Sequence, residues 1–302
     1  MELGIFKDRI FISADYYRNR SSNQLLSPEL PSFVGPSGGL ITNRDAVLVN
    51  SGFEGNLILK VLNSALSWTT TPNFSINRSQ ITRYPDIINS PDFARTLIGQ
   101  PIQTVRVYHL ADVDPETGRY RFQTKEGDLT YAPNYFDQNT LVNLAPAFYG
   151  GWNNHFIYKR FDLDFTIQFV KQKGFNFLYG FMPGFEGVNQ PVSVLNRWQK
   201  SGDVTNIQRF TNDFSLFDGY EKARNQSDQS YTDASFIRFK DVALSYDMPN
   251  VFTKDNVSSL KIYLQAQNLF TITNYKGLDP ETKNTLWLPP LGIISAGLTL
   301  SL

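Results

Sequence analysis

Cysteine is absent from the 302 residues, which excludes disulfide frameworks and thiolate metal sites. No stretch approaches the roughly 18 consecutive apolar residues that a membrane-spanning helix requires. Net charge is missing as well: 28 basic residues balance 28 acidic ones, so there is no electrostatic case for nucleic acid. Histidine is scarce, and His109 and His155 stand far apart without ligand-spaced neighbours, so both read as packing residues. No Gly-x-Ser-x-Gly element, P-loop or dinucleotide fingerprint occurs, and neither catalysis nor a cofactor is expected. The N-terminal Met1-Glu-Leu-Gly-Ile-Phe-Lys-Asp-Arg9 lacks a basic segment followed by an apolar one. It reads as the end of one strand, a tight turn at Lys7-Asp8 and the start of another. The expectation is therefore a C-terminal portion of a longer protein.

What the chain does have is aromatic residues, 14% of the total with 24 Phe and 15 Tyr, a bias that favours strands and membrane-interface girdles. Period-two alternation is clearest at Phe161–Phe169. Phe161, Leu163, Phe165, Ile167 and Phe169 point one way; Asp162, Asp164, Thr166 and Gln168 point the other. Further strands are expected at Arg9–Arg18, Phe53–Leu62, Ser64–Asn77, Tyr149–Tyr158, Ser235–Asp247, Leu260–Thr271 and Gly292–Leu302, with a stub at Leu3–Phe6. In Ser235–Asp247 the apolar positions change parity between Phe239 and Val242, which predicts a β-bulge near Lys240-Asp241. The chain ends on an amphipathic strand, an edge that a soluble protein seldom leaves bare and that a closed barrel pairs with its first strand. The mean hydropathy of -0.30 suits a barrel, in which half of each strand faces a polar lumen.

The connectors alternate in length. Lys7-Asp8, Asn63 and Lys159-Arg160 are tight, and Pro249–Ser258 is moderate, whereas Asn19–Gly52, Gln80–Gly150, Gln172–Ala234 and Ile272–Leu291 are long and polar. Short periplasmic turns alternating with long extracellular loops are the pattern of an outer-membrane barrel. The fold expected is all-β, an antiparallel transmembrane β-barrel fragment of about eight full strands, with residues 1–302 as one unit. A Lys or Arg on the lipid face at midplane costs about 2–4 kcal/mol, and a carboxylate somewhat less. Asp162, Asp164, Lys261, Gln265 and Gln267 are therefore expected to face the lumen, which places Leu163, Phe165 and Ile167 against lipid. Trp152, Tyr158 and Tyr246 read as girdle residues. The loop rings Phe175, Phe177, Tyr179, Phe181 and Phe185 are candidates for contact with a substrate or a lid protein. Asp112-Val-Asp-Pro-Glu-Thr-Gly118 superficially has the look of a calcium loop, but its Gly is one place late and no Glu sits at the bidentate position, so a plain turn is expected. Two competing readings are a secreted carbohydrate-binding β-sandwich, which predicts strands every 8–12 residues, and a self-contained eight-stranded barrel.

Three segments carry a resemblance to a known family: Tyr231-Thr-Asp-Ala-Ser-Phe-Ile-Arg-Phe-Lys-Asp-Val-Ala-Leu-Ser-Tyr-Asp-Met-Pro249, Leu260-Lys-Ile-Tyr-Leu-Gln-Ala-Gln-Asn-Leu-Phe-Thr-Ile-Thr-Asn-Tyr-Lys-Gly-Leu-Asp-Pro-Glu281, and the closing Pro289–Leu302. Weaker echoes are Asp15-Tyr-Tyr, Asn50-Ser-Gly-Phe-Glu54, Asp114-Pro-Glu-Thr-Gly118, Tyr149-Gly-Gly-Trp-Asn-Asn154 and Arg197-Trp-Gln-Lys-Ser-Gly-Asp203. Together they resemble the SusC/RagA-type family of TonB-linked outer-membrane transporters. The resemblance implies an outer-membrane location, import of glycans or peptides, a SusD-like lipoprotein lid, and coupling to TonB through an N-terminal part with a plug inside a barrel of about 22 strands. In the closing strand it implies an assembly signal at Ser295, Gly297, Leu300 and Leu302, with Leu302 where an aromatic is customary. It also implies that the present strands alone make an open sheet, which a bilayer does not tolerate.

Overall fold

Strict alternation of apolar and polar residues leaves a segment only one way to separate its two faces, as an extended strand. The computed structural model, which describes residues 1–26, 42–85, 87, 96–176, 183–184, 189–249, 259–283 and 287–301, forms such strands wherever the pattern holds. Nine of them make one sheet: β1 (Glu2–Ile5), β2 (Ile10–Ser21), β3 (Val47–Asn63), β4 (Leu66–Arg83), β5 (Phe148–Tyr158), β6 (Phe161–Lys171), β7 (Phe236–Asp247), β8 (Ser259–Thr273) and β9 (Ile293–Ser301). Each pairs antiparallel with its predecessor and successor, so the order in space is the order in sequence. A sandwich would divide these strands between two packed sheets; here one sheet holds them all. Nor does the sheet close on itself, because β1 and β9 are not paired with each other among the described residues.

The register keeps the two faces apart. On β4 one face carries Leu66, Trp68, Thr70, Pro72, Phe74 and Ile76, and the other carries Ser67, Thr69, Thr71, Asn73, Ser75 and Asn77. The predicted bulge exists: the ladder skips Lys240 between Phe239 and Asp241, on both sides of β7. That one extra residue returns Val242 and Leu244 to the face of Ile237 and Phe239. A row of rings then crosses five strands on the apolar face. Trp68 stacks on Phe156, Phe156 on Phe165, Phe165 on Phe239 and Phe239 on Phe270, at centroid distances of 5.3, 6.1, 5.8 and 4.7 Å. Each such pair contributes about 0.5–1.5 kcal/mol beyond its buried area, so the row ties β4 to β8 in register.

Tight turns join the strands at one end of the sheet, between β1 and β2, β3 and β4, and β5 and β6. Phe6, Lys7 and Asp8 of the first turn and Lys159 of the third take positive φ of 56 to 59°. The long connections emerge at the opposite end, and they are not structureless. Among the described residues they build a layer of short strands around one α-helix, α1 (Phe217–Gln226), over a core of Tyr108, Leu110, Val113, Tyr120, Phe122, Leu216, Tyr220 and Ala223. The core draws on two different connections, so residues far apart in the chain hold the layer together.

Candidate functional site

The polar face of the sheet and the loop layer above it form the candidate site. Asp162 and Asp164 stand on that face with Ser67, Thr69, Thr71 and Asn73 of β4 and with Asn153 and His155 of β5. His155 Nε2 lies 2.8 Å from Asp162 Oδ1. Asn153 Nδ2 donates to both Asp164 oxygens, at 3.0 and 3.1 Å, and to Thr166 Oγ1. Lys261, Gln265 and Gln267 of β8 share the same face, opposite Asp247, Ala243 and Asp241 of β7. Lys261 Nζ reaches Asp247 at 3.6 Å. All five residues expected to line one side therefore do share a face, but they spread across two strands instead of converging on one point. His155 lies in the strand expected over Tyr149–Tyr158 and belongs to this ladder, in phase with Asn153.

At the loop end of this face, Arg238 of β7 is 2% exposed. Its guanidinium lies 5.2 Å from the centre of the Phe236 ring, and Nε donates to Thr271 Oγ1 at 2.8 Å. The other two nitrogens donate to the carboxylates of Asp279 and Glu281, in the connection between β8 and β9. Asp279 Oδ1 in turn accepts from the backbone N–H groups of Glu281 and Thr282, at 2.9 and 3.0 Å. Gln172 Nε2 donates to the Pro280 carbonyl at 2.8 Å, and Lys283 Nζ to Gln172 Oε1 at 3.2 Å. Burial holds the Lys283 ammonium below the usual lysine range. The segments Phe236-Ile-Arg-Phe-Lys240 and Leu278-Asp-Pro-Glu281 are thus two halves of one latch. Sequence reasoning singled out both segments and missed their meeting.

A second junction joins Asp114-Pro-Glu-Thr-Gly118 to Arg197–Asp203. Asp114 accepts from the Glu116 N–H at 3.0 Å, from Thr117 Oγ1 at 2.6 Å and from the Tyr131 hydroxyl. The Thr117 and Tyr131 hydroxyls hold its carboxyl down at about 2. The carboxylate is occupied by donors of its own turn. Gly118 has φ of +69°, and the Trp198 indole lies so close that an added Cβ would come within 2.5 Å of it. Trp198 Nε1 donates to the Pro115 carbonyl at 2.8 Å, and the Arg209 N–H to that of Gly118 at 2.9 Å.

Of the expected aromatic contact residues, Phe175 sits in a short strand (Lys173–Phe175) paired with Tyr231–Asp233. Its ring is half-buried and meets Tyr231 edge-on at 6.0 Å. Phe177, Tyr179, Phe181 and Phe185 lie outside the described residues. On β9, Ser295 and Gly297 share the polar face and Leu300 the other, while Leu302 lies outside the described residues. The Tyr263 ring covers Gly297, where an added Cβ would come 2.5 Å from its hydroxyl. Tyr158, Phe161 and Tyr246 make an aromatic row at the tight-turn end of the apolar face, and Trp152, further along β5, donates its Nε1–H to Thr70 at 2.6 Å.

No protein-family model matches the chain. It is similar to TonB-dependent receptor P3 of Formosa agariphila, with 25% identity over 312 residues, and to TonB-dependent receptor SusC of Bacteroides thetaiotaomicron, with 23% over 307. These alignments cover 93% and 94% of this chain but 30% and 29% of the relatives, so the chain spans about three-tenths of their length. Among solved structures, that of the RagAB peptide transporter superposes with a TM-score of 0.82 at 21% identity, covering 99% of this chain and 34% of that one. The RagAB peptide importer in its 'open-open' state gives 0.81 at 23%, covering 99% and 33%. These superpositions establish the fold, a sector of barrel wall with its attached loops.

Proposed function

We propose that the chain is part of a TonB-dependent receptor of the SusC/RagA type and serves nutrient uptake at the bacterial outer membrane. It supplies the C-terminal stretch of the barrel wall and the surface loops of an importer for glycans or peptides. One observation supports this reading above the others: a single meandering sheet with one apolar and one polar face gathers every long connection at one end. In a bilayer the apolar face, with its row of rings, meets lipid, and the ladder of Asp162, Asp164, Lys261, Gln265 and Gln267 meets the water-filled lumen. The loop layer then faces outward, where a SusD-like lipoprotein covers it, while TonB engages a part of the receptor outside this chain. Transport requires no bond-making group, and the carboxylates of the polar face act as lumen lining.

Deleting the reading frame that encodes the chain should abolish uptake of one fluorescently labelled glycan or peptide pool by intact cells. A protonophore that collapses the proton motive force should stop the same uptake in the parent strain. Uptake of every pool at parental rates in the deletion strain would contradict the proposal.

A further inference from the structure

The loop layer contains a cavity of ≈ 600 Å³ whose lining includes Arg106, Lys125, Tyr135, Phe136, Gln138 and Asn139. A second cavity of ≈ 550 Å³ shares Leu97 and Arg106 with it, and its lining includes Lys283. Together they make a groove with two free cations, Arg106 and Lys125, and no carboxylate among the described lining residues; the Lys283 ammonium is held by Gln172. The Arg106 and Lys125 side chains have no hydrogen-bond or ion-pair partner among the described residues, and both are exposed.

The rings at the first cavity are held ready. Phe136 is 76% exposed, yet it stands on a fixed turn rather than a loose one. Asn134 and Asp137 cap that turn reciprocally, with the Phe136 N–H donating to Asn134 Oδ1 and the Asn134 N–H to Asp137 Oδ2. Asp137, 2% exposed, also accepts from the Lys125 N–H at 2.9 Å, so the same carboxylate places the cation beside the rings. Tyr135 and Phe136 meet edge-to-face at 5.8 Å, which presents one ring face outward.

We propose that this groove is a recognition subsite for an anionic oligosaccharide, one that bears carboxylate or sulfate groups at intervals along its chain. The inference rests on the import reading above and narrows its substrate class. The Phe136 face takes the C–H face of a sugar ring. The side-chain amides of Gln100, Gln138 and Asn139 each offer donors and an acceptor to ring hydroxyls. Lys125 and Arg106 meet successive anionic groups, Arg106 with a fork that suits a carboxylate or sulfate. An acidic peptide would satisfy the same cations but brings no flat C–H face for the Phe136 ring, and hexaglutamate tests it below.

The test uses the receptor purified intact from its own outer membrane, with binding followed calorimetrically for four probes: oligogalacturonate, a dextran-sulfate oligomer, neutral malto-oligosaccharide and hexaglutamate. At least one of the two anionic sugars should bind, and more weakly as salt is raised. The double variant R106Q/K125Q should weaken it about tenfold or more, since each lost contact is charge-assisted. F136A should weaken it about tenfold without changing the salt dependence. No binding of either anionic sugar, equal binding of the neutral one, a preference for hexaglutamate, or indifference to R106Q/K125Q would each overturn the proposal. If proton-motive-force-dependent uptake survives in such a case, the subsite alone has failed. If deletion of the reading frame leaves uptake intact, the import reading itself has failed.

Discussion

Replacing Asp279 with Ala should release the connection between β8 and β9 from the wall while the sheet itself stays assembled. Arg238 is 2% exposed and Asp279 5%, so the substitution leaves a buried guanidinium with Glu281 as its sole carboxylate partner. Breaking one side of a buried ion pair costs about 3–5 kcal/mol, because the remaining charge keeps its desolvation penalty. The turn loses a second set of contacts, the Glu281 and Thr282 N–H groups that Asp279 Oδ1 now accepts. D279N separates the two effects, since it preserves the acceptor and removes the charge. Hydrogen exchange across residues 274–283 should therefore speed up roughly a hundredfold or more in D279A and less in D279N. Exchange at the parental rate in D279A would mean that the latch does not hold the loop.

The 302-residue chain expressed alone should not give a heat-modifiable, lipid-embedded barrel. Its sheet has two free edges, β1 over Glu2–Ile5 and β9 over the nine residues Ile293–Ser301. In hydrocarbon each unpaired backbone group costs several kcal/mol, so the two edges together cost on the order of tens of kcal/mol. No contact named above offsets that. Electrophoresis of boiled and unboiled samples after refolding into lipid vesicles reads the outcome. A single mobility is expected, and a compact, protease-resistant band in the unboiled sample would refute the argument.

The wall was legible in the sequence because a strand with one wet and one greasy face writes its period directly into the residues. Phe161–Phe169 shows this, and so does the parity change that located the bulge at Lys240. The loop layer was not legible in the same way. Leu216, Tyr220 and Ala223 do recur at a helical spacing, but the stretch around them is polar and its burial depends on Tyr108 and Phe122, about a hundred residues earlier. The latch escaped for the same reason. Arg238 looked like one more residue of a strand and Asp279 like part of a turn, and only the pairing of β7 with β8 brings them together. The polar-face assignment of Asp162 and Asp164 needed nothing beyond alternation, whereas the place of His155 beside them needed the register of β5 on β6.

These 302 residues hold no cysteine of their own, so single introduced thiols can test the two-faced wall. In the intact receptor in bilayers, fluorophores attached at L163C, F165C and I167C should be quenched by nitroxide-labelled lipid and not by aqueous iodide. Labels at D162C, D164C and T166C should show the opposite. Iodide quenching of the first set, or the absence of any alternation along β6, would contradict the account.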